Sequence, residues 1–144
     1  MKIILTISFL ALMFASYGQN SKAVDNDEQQ LDAVCDTIMQ YFSKGQFKDA
    51  IQLVKQNSVI EPEKIDTLLV AIENQAQNYF PAYGKMLSAE FITSRKLKNF
   101  IEKRFYIVKF EKFPLKADFT LYKSSRGWTI TSFNYNEDLM ELLF

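Results

Sequence analysis

The chain has 144 residues, with 17 basic and 17 acidic side chains, no histidine and one cysteine. The missing histidine excludes Ser–His–Asp and Cys–His catalysis, His-ligated zinc and imidazole acid–base work near neutral pH. A lone cysteine excludes an intramolecular disulfide and a thiolate metal cluster, and zero net charge gives no field to attract nucleic acid.

At the N-terminus Lys2 precedes an uncharged apolar run, Ile3 to Ala15, followed by Ser16-Tyr17-Gly18-Gln19. Such a run fits the ~7–15 residue core of a secretory signal and falls short of the ~20 residues of a spanning helix. The expectation is a signal peptide over 1–18, cleaved after Gly18, and a periplasmic or secreted product. Removing 18 of 144 residues leaves 126, and losing Lys2 leaves 16 basic against 17 acidic groups. That length suits a single domain with its own core. No later run is long enough to cross a bilayer, so no integral membrane segment is expected after cleavage.

Residues 19–28 are polar and read as a flexible lead-in to one domain over 29–144. Leu31, Val34, Cys35, Ile38, Tyr41 and Phe42 then recur at helical spacing and end near Gly45. Asp25, Asp27, Glu28, Asp32 and Asp36 crowd the start of this helix, where the dipole favours negative charge. Cys35 falls on its apolar face and reads as a small buried hydrophobe. A second, shorter helix carries Phe47, Ala50, Ile51 and Val54. A third begins at Pro62, in the first turn where its missing N–H costs nothing, and presents Ile65, Leu68, Leu69, Ile72, Ala76 and Tyr79.

Beyond Pro81 and Gly84 the period changes to that of strands, expected over 86–95, 100–112, 116–124 and 128–135. Their short connections make them an antiparallel meander. Glu137 to Phe144 reads as a closing amphipathic turn. The expected fold class is therefore α+β: three N-terminal helices packed on a curved four-stranded antiparallel sheet. Alternation turns Leu87, Ala89, Phe91, Tyr106, Val108, Phe110, Phe119, Leu121, Trp128 and Ile130 toward the helices. The opposite face receives Ile92, Phe105, Ile107, Tyr122, Phe133 and Tyr135 among charged and hydroxyl residues. That is more aromatic than a face open to water should be, so either a partner covers it or the register slips by one.

This order of elements resembles the nuclear-transport-factor-two-like superfamily (the cystatin-like cone fold), above all its small exported bacterial members of unassigned function. The resemblance rests on the helix–Gly–helix opening Tyr41-Phe42-Ser43-Lys44-Gly45-Gln46-Phe47-Lys48-Asp49-Ala50 and the late strand Gly127-Trp128-Thr129-Ile130-Thr131-Ser132-Phe133, and spans roughly residues 29–136. It implies a curved sheet around helices with a conical pocket open at one end. It also implies pairing of two copies through the outer sheet face. The superfamily holds both enzymes such as ketosteroid isomerase and non-catalytic binding modules, and fold alone does not choose between them.

Three groups of side chains are candidates for function. Tyr83, Tyr106 and Trp128 are placed to line the mouth of a cone, with polar tips to orient a small apolar ligand, although packing in the core would use them equally well. Phe105, Ile107, Tyr122, Phe133 and Tyr135 form the candidate homodimer surface. Asp32 and Asp36, one turn apart, stand near Tyr41 as the carboxylate–tyrosine pair an isomerase or hydro-lyase would need; a solvated acidic helix face explains them too. The cluster Arg95, Lys96, Lys98, Lys103 and Arg104 fits either an anion site or a soluble hairpin tip. The function expected is an exported, non-catalytic module binding a small ligand or a protein, without cofactor or metal. A pocket enzyme and an inhibitor or immunity-type protein are the alternatives.

Overall fold

A computed structural model describes residues 26–144. Residues 1–18, expected to be a signal peptide, and lead-in residues 19–25 lie outside the described residues. The first helix, α1, runs Asn26–Ser43, so the lead-in expected to reach residue 28 gives way to helix at Asn26. α2 spans Phe47–Gln56 and α3 spans Pro62–Asn78, followed by a single 3-10 turn at Phe80–Tyr83. Four strands follow: β1 (Met86–Leu97), β2 (Ile101–Phe110), β3 (Pro114–Ser124) and β4 (Gly127–Asn136). They form one antiparallel sheet in the order β1-β2-β3-β4, and a last short turn of helix, α4, occupies Met140–Leu143. The α+β meander read from the periodicities is the fold observed.

The helices cover one face of the sheet. From α1, Leu31, Cys35, Ile38, Met39 and Phe42 are buried at three- and four-residue steps, joined by Ala50, Ile51 and Val54 of α2 and by Ile65 and Ile72 of α3. Gly45 takes φ 72° after α1, and the Gln46 N–H donates to the Tyr41 carbonyl at 3.0 Å, closing the helix with a left-handed residue. The sheet meets this layer with Tyr106, Val108, Phe110, Leu115, Ala117, Phe119, Leu121, Trp128, Ile130 and Phe133. Phe42 is the hinge of the aromatic packing, with its ring centroid 6.4 Å from Phe133 and 5.8 Å from Tyr135.

Three bulges decide which side chains face where. In β4 the register with β3 shifts from Thr120↔Ser132 to Leu121↔Ile130, leaving Thr131 as an extra residue. Strict alternation from Trp128 and Ile130 would turn Phe133 and Tyr135 outward; the extra residue inverts the phase and turns both toward the helices. This corrects the expected face of those two aromatics. In β1, shifts between Met86 and Ser88 and between Phe91 and Thr93 bulge Leu87 and Ile92 out of the ladder. Leu87, expected on the helix side, is 56% exposed.

The edge of β4 is shielded by the loop between α2 and α3. The Ile130 N–H donates to Asn57 O at 2.9 Å, and the Val59 N–H to Ile130 O at 3.2 Å, so this short segment adds itself to the sheet. At Ile130 the edge is thereby closed to a further strand.

Candidate functional site

An open groove lies where α3 and the 3-10 turn meet the ends of β3 and β4. It encloses about 640 Å³ and is lined by Leu68, Phe80, Leu115 and Phe133 at its base. Tyr79, Tyr83 and Tyr135 stand with Gln75, Asn134, Asn136 and Glu137 around it. Small-molecule sites commonly measure about 300–1,000 Å³ and combine apolar walls with a few convergent polar groups. The local sequence explains the arrangement. Pro81 and Gly84 end the helical segment, Phe80 drops into the core, and Tyr79 is left 61% exposed. On β4, the bulge sends Phe133 and Tyr135 inward and leaves Asn134 and Asn136 exposed. Tyr83 stacks on Phe113 at 5.3 Å and packs edge-on against Phe110 at 5.5 Å, while its hydroxyl donates to Glu137. Burial raises the Tyr135 phenol above its ordinary pKa, so it stays a neutral donor and acceptor. A second depression, of about 450 Å³, shares Leu68 and Phe133 with the groove.

Of the three residues expected around a cone mouth, Tyr83 alone lines this groove. Trp128 is 9% exposed and sits at the start of β4, where its backbone N–H donates to Asp27 Oδ2 at 2.7 Å. Tyr106 is 2% exposed and belongs to a different cluster altogether. The expected pocket trio is thus dispersed, because Tyr106 and Trp128 serve the core and only Tyr83 stands at its rim.

Tyr106 belongs to a chain of charges between α1 and the β1–β2 hairpin, in which Arg104 and Glu102 are buried and Asp36 and Lys96 reach water. Arg104, 8% exposed at its side chain, reaches Asp32 at 3.0 Å, Glu102 at 3.2 Å and Asp36 at 3.3 Å. Its Nε donates to the Tyr106 hydroxyl at 3.2 Å, and that hydroxyl donates to Asp36 at 2.5 Å. The guanidinium also lies 4.4 Å above the Phe91 ring. Lys96 donates to Glu28 and lies 4.0 Å from Glu102, whose side chain is 1% exposed. Four carboxylates therefore share two cations, and this crowding shifts the protonation equilibria of the cluster. Burial, opposed by Arg104 and reinforced by Glu102 and Glu28, pushes Asp32 up to about 6. Burial works against the Arg104 cation, yet its bond to Tyr106 and the surrounding negative charge hold its pKa above the ordinary value. Burial and the bond to Asp36 raise Tyr106. The Cys35 thiol nearby is fully buried and raised by desolvation, an inert packing group as expected.

Asp32 and Asp36 keep part of their surface in water, Asp36 at 49% side-chain exposure, and their partners are Arg104 and Tyr106 rather than Tyr41. A carboxylate–tyrosine pair does exist here, but its hydroxyl is shut in the core and none of these residues lines the groove. The arrangement can fix α1 on the sheet. Sequence alternation held the signal: stepping back from Tyr106 by two and four residues puts Arg104 and Glu102 on the helix side. The basic cluster of the hairpin is likewise divided by the pleat, Lys96 and Arg104 facing inward, Arg95 and Lys103 outward.

The outer face also differs from expectation. Phe105 is 0% exposed, lying under Arg95 and Lys103, whose charges are 5.4 and 5.3 Å from its ring centroid. With Phe133 and Tyr135 turned inward, Ile107 and Tyr122 are what remains accessible of the five candidate interface residues. The excess of outward aromatics came from reading through the bulge. Among the described residues no group of three or more acidic, Cys or His side chains is placed to hold a metal, and no helix is long and apolar enough to cross a membrane.

Compared with protein-family models, with curated proteins and with solved structures, the chain matches none.

Proposed function

We propose that this chain is an exported, non-catalytic module that binds a small ligand in the groove between α3 and the end of β4. The observation that carries the reading is the lining of that groove: three tyrosines and three side-chain amides around an apolar base of Leu68, Phe80, Leu115 and Phe133. Phenol and amide groups of this kind orient a ligand that is apolar over its faces and polar at its edges. The export half of the reading is supported by the Lys2–Gln19 pattern and by a cysteine that needs no disulfide partner. The resemblance to the nuclear-transport-factor-two-like superfamily is in keeping with a module whose sheet and helices leave a pocket at one end.

Binding is preferred to catalysis because the one carboxylate in the groove, Glu137, is exposed and held by the Tyr83 hydroxyl. A general acid or base is made by desolvating a carboxylate in a cleft, as Asp32 is desolvated elsewhere in this fold. Native mass spectrometry of the protein purified gently from its own source tests the reading. A mass excess of small-molecule size, lost on denaturation, is the expected result; a bare chain mass under conditions that keep the fold would count against it.

A further inference from the structure

The outer face of the sheet carries two buried charges on one strand, Lys116 with 3% and Asp118 with 3% side-chain exposure. A buried ammonium without a counter-charge is strongly destabilising, so something must answer Lys116. The answer comes from the C-terminus. Beyond β4 the chain turns back over the outer face, and the two oxygens of Glu141 are taken separately, Oε1 by Lys103 at 2.6 Å and Oε2 by Lys116 at 2.6 Å. Arg95 donates to the main-chain carbonyl of the same residue at 2.8 Å. Cations from β1, β2 and β3 thus converge on one residue of α4.

The turn brings little else to the contact. None of the α4 residues is buried, and Leu143 and Phe144 are 70% and 89% exposed. Between β4 and α4 the hydrogen bonds are local: Asp138 N–H to Asn136 Oδ1 at 3.0 Å, and Met140 N–H to Asp138 Oδ1 at 2.9 Å. Nearer the strand, Glu137 is held by Tyr83. The segment is anchored by charge at Glu141 rather than by apolar burial, and of its two ion pairs the partly exposed one to Lys103 weakens with salt.

We propose that Arg95, Lys103 and Lys116 form a carboxylate-recognition cradle for an acidic peptide segment, and that the chain's own C-terminal turn fills it until such a segment displaces it. The ligand class is written in the occupant: a glutamate whose two oxygens are divided between lysines, whose main-chain carbonyl accepts from an arginine's N–H, and which is flanked by leucine and methionine. In cis the turn competes at an effective concentration of about millimolar, so a free peptide at micromolar concentration gains access only when the turn's own grip is removed.

The test uses the whole chain and a dye-labelled synthetic peptide of residues 137–144. Fluorescence anisotropy should show Glu141→Ala binding the peptide about tenfold more tightly than the unsubstituted chain, with affinity falling as salt rises. Adding Lys103→Ala to that variant should reverse the gain. Glu141→Gln, which keeps the side-chain shape, should show the same gain and serves if the alanine variant does not fold. Equal binding by the substituted and unsubstituted chains, or a gain indifferent to Lys103→Ala, would overturn the proposal.

Discussion

Arg104 is the residue on which the junction of helix and sheet turns. Asp32, Asp36 and Glu102 lie within 3.3 Å of its guanidinium nitrogens, and its removal leaves them facing one another in a site only partly open to water. Arg104→Met should therefore cost about 3–5 kcal/mol at pH 7, the range found when one partner of a buried pair is removed. Urea unfolding checks this, and the loss should shrink near pH 4, where Asp32 is protonated. Asp32 itself sets a pH window. Its folded pKa, pushed up to about 6, lies above the unfolded 3.8, so its contribution is fully present below 3.8 and is lost as pH rises through 6. Asp32→Asn should flatten the fall in stability between those two values, a change of at most about 3 kcal/mol. Glu141 works in the opposite sense. Bonds from Lys103 and Lys116 hold it down at about 2, so its contribution is present above 4.5 and lost as pH falls toward 2.

At the scale of elements, the β4 bulge at Thr131 decides which aromatics the core receives. Deleting Thr131 would restore strict alternation and expel either Trp128 and Ile130 or Phe133 and Tyr135 from the helix side. The deletion variant should show no cooperative thermal transition by circular dichroism; a melt within a few degrees of the unsubstituted chain would refute this account of the bulge. The helices and the meander were legible in advance because the periods of Leu31 to Phe42, of Ile65 to Ala76 and of Tyr106 to Phe110 are long and unbroken. The bulge was not, since Thr131 and Ser132 suit a regular strand equally well and carry no Gly or Pro to mark an inserted residue. That one extra residue misplaced Phe133 and Tyr135, and with them much of the supposed dimer surface. The inward Glu102 and Arg104 were within reach of the alternation already read at Tyr106. What the pattern of a strand does not show is the element packed against it, here the Asp32–Asp36 edge of α1. Nor does a strand pattern disclose that the outer Lys116 and Asp118 are covered by a turn that begins only at Met140.

For the molecule as a whole, the space between helices and sheet is filled by side chains, from Leu31 and Cys35 through Phe42 to Phe119 and Phe133, and the groove lies at the rim of that core. This divides the labour of the fold. The charge cluster around Arg104 holds α1 to one end of the sheet, whereas the rim near Tyr83 and Tyr135 is free to present its phenols and amides. Asn134 is exposed on the groove, so a larger side chain there can plug the site without entering the core. The most direct test of the binding proposal is native mass spectrometry of the unsubstituted chain and Asn134→Trp, purified side by side from the native source. The account predicts a denaturable mass excess on the unsubstituted chain and none, or much less, on the plugged variant. An equal excess on both would place the ligand elsewhere, and a bare mass on both would contradict the groove as a binding site.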